Sequence, residues 1–255
     1  CIVQPVSWRV RRIRRPVNSA SAMPLHRTRI KLCGLTQPAD VDHAVTLGAD
    51  AIGLVFYPPS PRYVTIERAA ELARRAGPFV TVTGLFVNAS ADDVARVLDQ
   101  VPLTLLQFHG DEPAELCAEI AGKVGLPWLR ALRVQPGADL VEFADRFAAA
   151  QGLLLDAFVE GYGGGGHVFD WTLIPPQWLP QSPSLPTTSA APRLVLSGGL
   201  SAQNVAGAIE RVRPYAVDVS SGIEAARGVK DHARMTAFVR AVREADVALG
   251  ASAQA

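Results

Sequence analysis

The chain has 255 residues, 49% of them hydrophobic and 19% charged, with a formal net charge of +1. That is the composition of one large globular domain or two small ones, and its near-neutral balance lacks the basic field that a nucleic-acid partner requires. No apolar run approaches the roughly 18 residues of a membrane-spanning helix. The three cysteines, Cys1, Cys33 and Cys117, have no CxxC spacing, which argues against a disulfide framework or a zinc site and for a reducing, cytoplasmic setting.

Residues 1–22 carry Arg9, Arg11, Arg12, Arg14 and Arg15, no acidic residue and no apolar h-region, so they are not a secretory signal. An organelle-targeting or phosphate-binding arm is one reading. Sequence lying upstream of a start at Met23 is the other, and the simpler. The expected organisation is an Arg-rich extension over 1–27, taken to be disordered, one folded domain over 28–246, and a disordered tail over 247–255.

From Arg29 onward the chain alternates between two periods. Residues 29–33 read as a strand: Ile30 and Leu32 alternate with Arg29, Lys31 and Cys33, and Gly34 breaks the run. A helix follows over 38–47. Residues 51–56 form an apolar run of buried-strand length, and the loop Tyr57-Pro58-Pro59-Ser60-Pro61-Arg62-Tyr63 is too proline-rich for helix or central strand. Thr65 is placed to cap a helix over 66–76. After a strand over 79–87, Ser90 is placed to cap a helix over 91–99, with Asp92 and Asp93 in its first turn. Strands are predicted over 103–109, 128–134, 152–156, 193–197 and 215–219. Helices are predicted over 112–121, 138–150, 201–212 and 231–245, with a short turn over 170–174. Residues 175–192 are Pro- and Ser-rich and read as a surface linker or a disordered insert.

The strands are rich in Val, Ile and Leu rather than alternating, as parallel strands covered on both faces require. Eight strand–helix units in about 220 residues predict an α/β fold, a single (β/α)8 TIM barrel. A doubly wound open sheet would need a glycine fingerprint in its first turn, and Cys33-Gly34-Leu35-Thr36 is not one.

Barrel chemistry gathers at the C-terminal ends of the strands. Those ends carry Cys33, the loop 58–62 with Arg62, Asn88, His109, Arg133, Asp156, Ser197-Gly198-Gly199 and Ser220-Ser221-Gly222. The last two loops follow strands 7 and 8, where barrels commonly hold phosphate on backbone N–H groups. Gly163-Gly164-Gly165-Gly166 reads either as a lid over that phosphate or as a plain flexible linker. One thiol and one carboxylate suggest acid–base chemistry without a cofactor or metal. Taken singly, Cys33 fits a small apolar filler better than a catalyst, and Asp156 fits a cap or an ion pair as well as an acid. His109 reads as a hydrogen-bonding residue beside the pocket, because no partners stand at metal-ligand spacing. Arg133 either touches the ligand or pairs with an acidic residue. Trp128, Trp171 and Trp178 read as packing residues or loop anchors.

Taken together, KLCGLT (31–36), GADAIGLVFYPPSPRYV (48–64), GLFVN (84–88), LLQFHGDEP (105–113), LLLDA (153–157), FDW (169–171), LVLSGGLSAQNV (194–205) and RPYAVDVSSGIEAARGVKDHARM (213–235) resemble the phosphoribosylanthranilate isomerases of tryptophan biosynthesis. The resemblance runs from about Arg29 to Ala245. It implies an Amadori rearrangement of a phosphorylated small molecule with no cofactor, in a monomer or homodimer. By the family pattern, Asp156 is the general acid that opens the sugar ring and Cys33 the general base at C2. Arg62 binds the anthranilate carboxylate, with His109 also on the substrate. Gly198, Gly199, Ser220, Ser221 and Gly222 supply the phosphate site.

The sequence departs from the family after Tyr162, where Gly163-Gly164-Gly165-Gly166-His167-Val168 lacks the hydroxyl and lysine often found there, and in the length of the 175–192 insert. The related isomerase of histidine biosynthesis is the nearest rival. It is expected to carry Asp in place of Cys33 and a second phosphate site on the loops after strands 3 and 4. A non-catalytic phosphate-binding barrel and a redox thiol are further alternatives; the latter lacks a resolving cysteine nearby.

Overall fold

A computed structural model describes residues 27–158, 168–179 and 192–252. Eight parallel strands close into a barrel: β1 (Arg29–Cys33), β2 (Ala51–Val55), β3 (Thr81–Phe86), β4 (Leu105–Phe108), β5 (Trp128–Val134), β6 (Gly152–Ala157), β7 (Leu194–Leu196) and β8 (Ala216–Val219). Closure is made by β1 on β8, with Arg29 opposite Ala216 and Leu32 opposite Val219. The helices between them are α1 (Pro38–Thr46), α2 (Ile66–Arg75), α3 (Ala91–Leu98), α4 (Ala114–Val124), α5 (Leu140–Arg146) and α6 (Val205–Val212). After β8 come a 3-10 turn (Ser221–Ile223), a hairpin of β9 (Glu224–Ala226) and β10 (Val229–Lys230), and α7 (His232–Ser252). No described helix is long and apolar enough to cross a membrane.

Successive side chains on a strand point to opposite faces, and here that alternation sorts the molecule into an outer core and a filled barrel. Ile30, Leu32, Ile52, Leu54, Leu153 and Leu155 face the helices in the main core. Inside the barrel, Leu129, Ala131, Leu154, Val195 and Ala216 fill the lower end, and Cys33, Val55 and Leu85 form an apolar group at the upper end. The same parity carries Lys31, Thr83, Gln107 and Asp218 inward, and all four are buried.

Local signals set the helix ends. Thr65 Oγ1 accepts from Arg68 N at 3.2 Å. Ser90 and Asp93 form a reciprocal capping box, Asp93 N donating to Ser90 Oγ at 3.1 Å and Ser90 N to Asp93 Oδ2 at 3.2 Å. Ser90→Ala is expected to cost about 1 kcal/mol of stability and to lower Tm by about 2–4 °C. Thermal unfolding of both proteins checks this; an unchanged Tm would mean that the cap contributes nothing.

Several boundaries differ from the sequence reading. β3 starts at Thr81 because Gly77 takes a φ of 73°, turning the chain so that Phe79 is left 97% exposed. β4 and β7 are shorter than predicted. α6 starts at Val205, since the preceding residues form a turn in which Ser201 N donates to Asn204 Oδ1 at 2.8 Å. The segment Pro175–Leu179 is not a loose insert: it forms a 3-10 turn at Pro176–Trp178, and Trp178 is buried in the main core. The last helix continues to Ser252, into the stretch expected to be a disordered tail. It is held there by Asp246, which accepts from Thr28 N at 2.9 Å and Thr28 Oγ1 at 2.7 Å, and by Leu249, which packs on the core. The Arg-rich segment up to residue 26, Gly163–His167 and most of the insert lie outside the described residues.

Candidate active site

The upper mouth of the barrel is a cleft lined by Cys33, Arg62, His109, Asp156, Ser197–Leu200 and Asp218–Ser221. It brings together nearly every residue singled out from the sequence. Cys33 ends β1 and is 4% exposed. Its thiol occupies the space that a side chain at position 53 would need, since a Cβ on Gly53 would lie 2.5 Å from Sγ. Gly53 in β2 is therefore what admits a sulfur here. Ser220 Oγ donates to the Cys33 carbonyl at 3.1 Å and fixes the strand end.

Asp156 lies on β6, separated from β1 by β7 and β8. Its Oδ1 accepts from Ala157 N at 2.9 Å, and its Oδ2 lies 3.3 Å from His109 Nε2, without the alignment of a hydrogen bond. Gln107 Nε2 donates to His109 Nδ1 at 3.0 Å. With Nδ1 accepting, a neutral His109 carries its proton on Nε2, toward Asp156 and the cleft.

Beneath Cys33, Lys31 Nζ donates to Asp218 Oδ1 at 2.8 Å, and Ser197 Oγ donates to Asp218 Oδ2 at 3.3 Å. Burial would lower the Lys31 pKa, but Asp218 and Cys33 outweigh it and hold the ammonium above its ordinary value. Burial also pushes the Cys33 thiol up; Lys31 and Lys230 oppose this and Asp218 adds to it. Desolvation of a sulfur anion thus outweighs what two nearby ammoniums return, and the shift is upward. Cys117, buried on α4, is likewise pushed up, to about 12, by burial, with Arg130 opposing it.

Arg62 is buried and lines the cleft, and one edge of its guanidinium is already taken. Nε donates to Glu224 Oε1 at 2.7 Å and Nη2 to Glu224 Oε2 at 2.9 Å. Lys230 Nζ donates to the same Oε1 at 2.8 Å and to the Ser220 carbonyl at 3.0 Å. Burial alone would raise the Glu224 carboxyl; Arg62 and Lys230 hold it below its ordinary value. The Nε/Nη2 edge of Arg62 is thus held by Glu224, and the N–H groups of its Nη1/Nη2 edge remain for a ligand carboxylate.

Among the described residues, no hydrogen bond occupies the N–H groups of Gly198, Gly199 or Ser221, as an anion site requires. Gly222, expected to share that role, does not line the cleft. A Cβ there would lie 1.9 Å from the Leu200 carbonyl oxygen, so its glycine is needed for the loops after β7 and β8 to pack together. The loops after β3 and β4 are built differently. Glu112 accepts from Asn88 N at 2.6 Å and from Gly110 N at 2.9 Å, and pairs with buried Arg130 at 2.6 Å. Arg133 pairs with Asp111 at 2.7 Å rather than lining the cleft.

This site sits on a chain whose residues 30–241 match the family model described as N-(5'phosphoribosyl)anthranilate (PRA) isomerase. The chain belongs to this family. It is 97% identical over 233 residues to N-(5'-phosphoribosyl)anthranilate isomerase of Ralstonia pickettii (strain 12J), covering 91% of this chain and 100% of that protein. The crystal structure of phosphoribosyl anthranilate isomerase from Thermotoga maritima superposes with a TM-score of 0.75 at 39% identity, over 85% of this chain and 99% of that one. A phosphoribosyl anthranilate isomerase solved in complex with reduced 1-(o-carboxyphenylamino)-1-deoxyribulose 5-phosphate gives a TM-score of 0.71 at 38% identity, over 85% and 99%.

Within this PRA isomerase, the sequence reading missed Lys31, Gln107, Asp218, Glu224 and Lys230. Two of them had a usable signal. Lys31 precedes Cys33 by two positions on one strand, so both face inward, and Asp218 is a lone charge in the apolar strand Ala216–Val219, which a buried partner must balance. Glu224 and Lys230 follow the last barrel strand and carry no such mark.

Proposed function

We propose that this cleft converts N-(5-phosphoribosyl)anthranilate into 1-(2-carboxyphenylamino)-1-deoxyribulose 5-phosphate with Cys33 as general base and Asp156 as general acid. The observation that carries the assignment is the meeting of that thiol and that carboxyl in one cleft, between the Gly198–Gly199 and Ser220–Ser221 loops and Arg62. The overall reaction is that of the tryptophan-pathway isomerases.

Asp156 gives a proton to the ring oxygen as the C1–O bond breaks, and the anthranilate nitrogen lone pair forms the C1=N bond of a cationic imine. The Cys33 thiolate then takes the proton from C2, and the C–H electrons make an enolamine. Proton return to C1 with loss of the proton on the C2 hydroxyl gives the aminoketone, an isomerisation in which no oxidant is consumed. An imine cation formed beside Cys33 would favour thiolate over thiol and so oppose the effect of burial. His109 Nε2–H is available to a substrate oxygen beside Asp156, and the backbone N–H groups of Gly198, Gly199 and Ser221, without partners among the described residues, suit the phosphate.

The histidine-pathway reading would need a second phosphate site on the loops after β3 and β4. The N–H groups there are consumed by Glu112 and, for Asp111, by Asn88 Oδ1 at 2.8 Å, which argues against it. A cytoplasmic setting suits the free thiols Cys33 and Cys117.

The test is to generate phosphoribosylanthranilate in situ and follow the loss of its anthranilate-type fluorescence on adding the purified protein. Fluorescence that persists would overturn the proposal. Arg62→Ala is expected to raise KM about ten- to a hundredfold with little change in kcat, the loss of one charge-assisted contact. A lowered kcat at unchanged KM would remove Arg62 from ligand binding.

A further inference from the structure

We infer that Glu224 is the positioning residue that aims Arg62 at the carboxylate of the substrate, so that selection for an anthranilate ring over a plain aniline ring is built into the hairpin that follows the barrel. This rests on the assignment of Arg62 to that carboxylate. Three observations converge. First, Glu224 and Lys230 do not line the cleft, whereas Arg62 does, so whatever Glu224 does for the ligand it does through Arg62. Second, both oxygens of Glu224 grip Nε and Nη2, which gives a guanidinium on a flexible four-bond stem one orientation and leaves its Nη1/Nη2 edge to donate. Third, the hairpin is seated on the loop that carries Arg62: a Cβ on Gly228, in the turn between β9 and β10, would lie 2.4 Å from the Pro61 carbonyl oxygen.

The charge balance points the same way. Arg62, Lys230 and Glu224 form a buried group of two cations and one anion. Lys31 with Asp218, beneath Cys33, is neutral as a pair. Two cationic side chains thus share one carboxylate at this corner, which favours an anionic ligand group beside Arg62. Lys230 also donates to Ser220, whose hydroxyl holds the Cys33 carbonyl, so the same cluster ties the carboxylate corner to the strand end that carries the thiol.

The experiment is a double-mutant cycle read on two substrates. Glu224→Gln, Arg62→Ala and the double variant are assayed with phosphoribosylanthranilate and with N-(5-phosphoribosyl)aniline, prepared by condensing aniline with ribose 5-phosphate. Glu224→Gln is expected to raise KM for the natural substrate about tenfold, with kcat within about threefold. It should leave KM for the aniline compound unchanged and add nothing in the Arg62→Ala background. A loss shared equally by both substrates, or fully additive with Arg62→Ala, would reduce Glu224 to a structural residue. If Arg62→Ala itself does not distinguish the two substrates, the assignment of Arg62 fails, a separate result. Should Glu224→Gln not fold, Glu224→Asp keeps the charge but shortens the reach. It should show the same substrate-selective rise in KM, and a native KM from it would equally overturn the inference.

Discussion

Cys33→Ala is expected to lower kcat by about 10²–10⁴-fold, the usual worth of a general base, with substrate affinity close to native. The side chain is small, and its place at the end of β1 is held by Ser220 on its carbonyl rather than by the sulfur, so the variant should fold. With proton removal made slow, deuterium at C2 of the ribosyl group should slow kcat further. The pH dependence follows from the same environment. Only the thiolate is a base, and burial raises the Cys33 pKa in the free enzyme. The rising limb of kcat/KM, which reports the free enzyme, should therefore lie above that of an ordinary thiol. In the complex the imine cation opposes burial, so the limb in kcat should lie lower. Both limbs should vanish in Cys33→Ala. Near-native kcat in that variant would return the thiol to the role of a strand filler.

Asp156→Asn is expected to cost a comparable ~10²–10⁴ in kcat, but at the other step. The amide preserves the shape and can still accept from Ala157 N, while it has no proton to give to the ring oxygen. Ring opening then limits turnover, and deuterium at C2 should leave kcat unchanged. The contrast between the two variants is the discriminating measurement: an isotope effect in Cys33→Ala and none in Asp156→Asn places base and acid on different steps. An isotope effect of equal size in both would mean that Asp156 does not act in ring opening.

The buried cation under the thiol explains why this corner of a barrel can support a sulfur base at all. Lys31 is kept charged by Asp218, so it can stabilise a thiolate without competing for the proton. The cost is a polar layer inside the barrel, met by pairing Lys31 with Asp218 and Gln107 with His109, while Thr83 Oγ1 and Gln107 Oε1 find no partner among the described residues. A mispaired member would leave a desolvated charge or donor, which is expensive in a dry interior.

The sequence by itself determined the barrel and most of the cleft. Strand and helix periods are local, and eight apolar strands with helices between them have few ways to bury both faces. The chain order of strand ends then places Cys33, His109, Asp156 and the Gly/Ser loops at one mouth, with no need of coordinates. What only the tertiary structure decided is what each of those groups is paired with. The partner of Lys31 is 187 residues away on β8, and that of Arg62 is 162 residues away on a hairpin outside the barrel. The 3-10 turn that buries Trp178 and the end of α7 that clasps Thr28 are likewise set by distant contacts rather than by local propensity. Such pairings depend on register and loop packing, which sequence periodicity does not encode. They decide that burial raises the pKa of the Cys33 thiol, that one edge of Arg62 is held by Glu224, and that Gly222 lets two loops pack together.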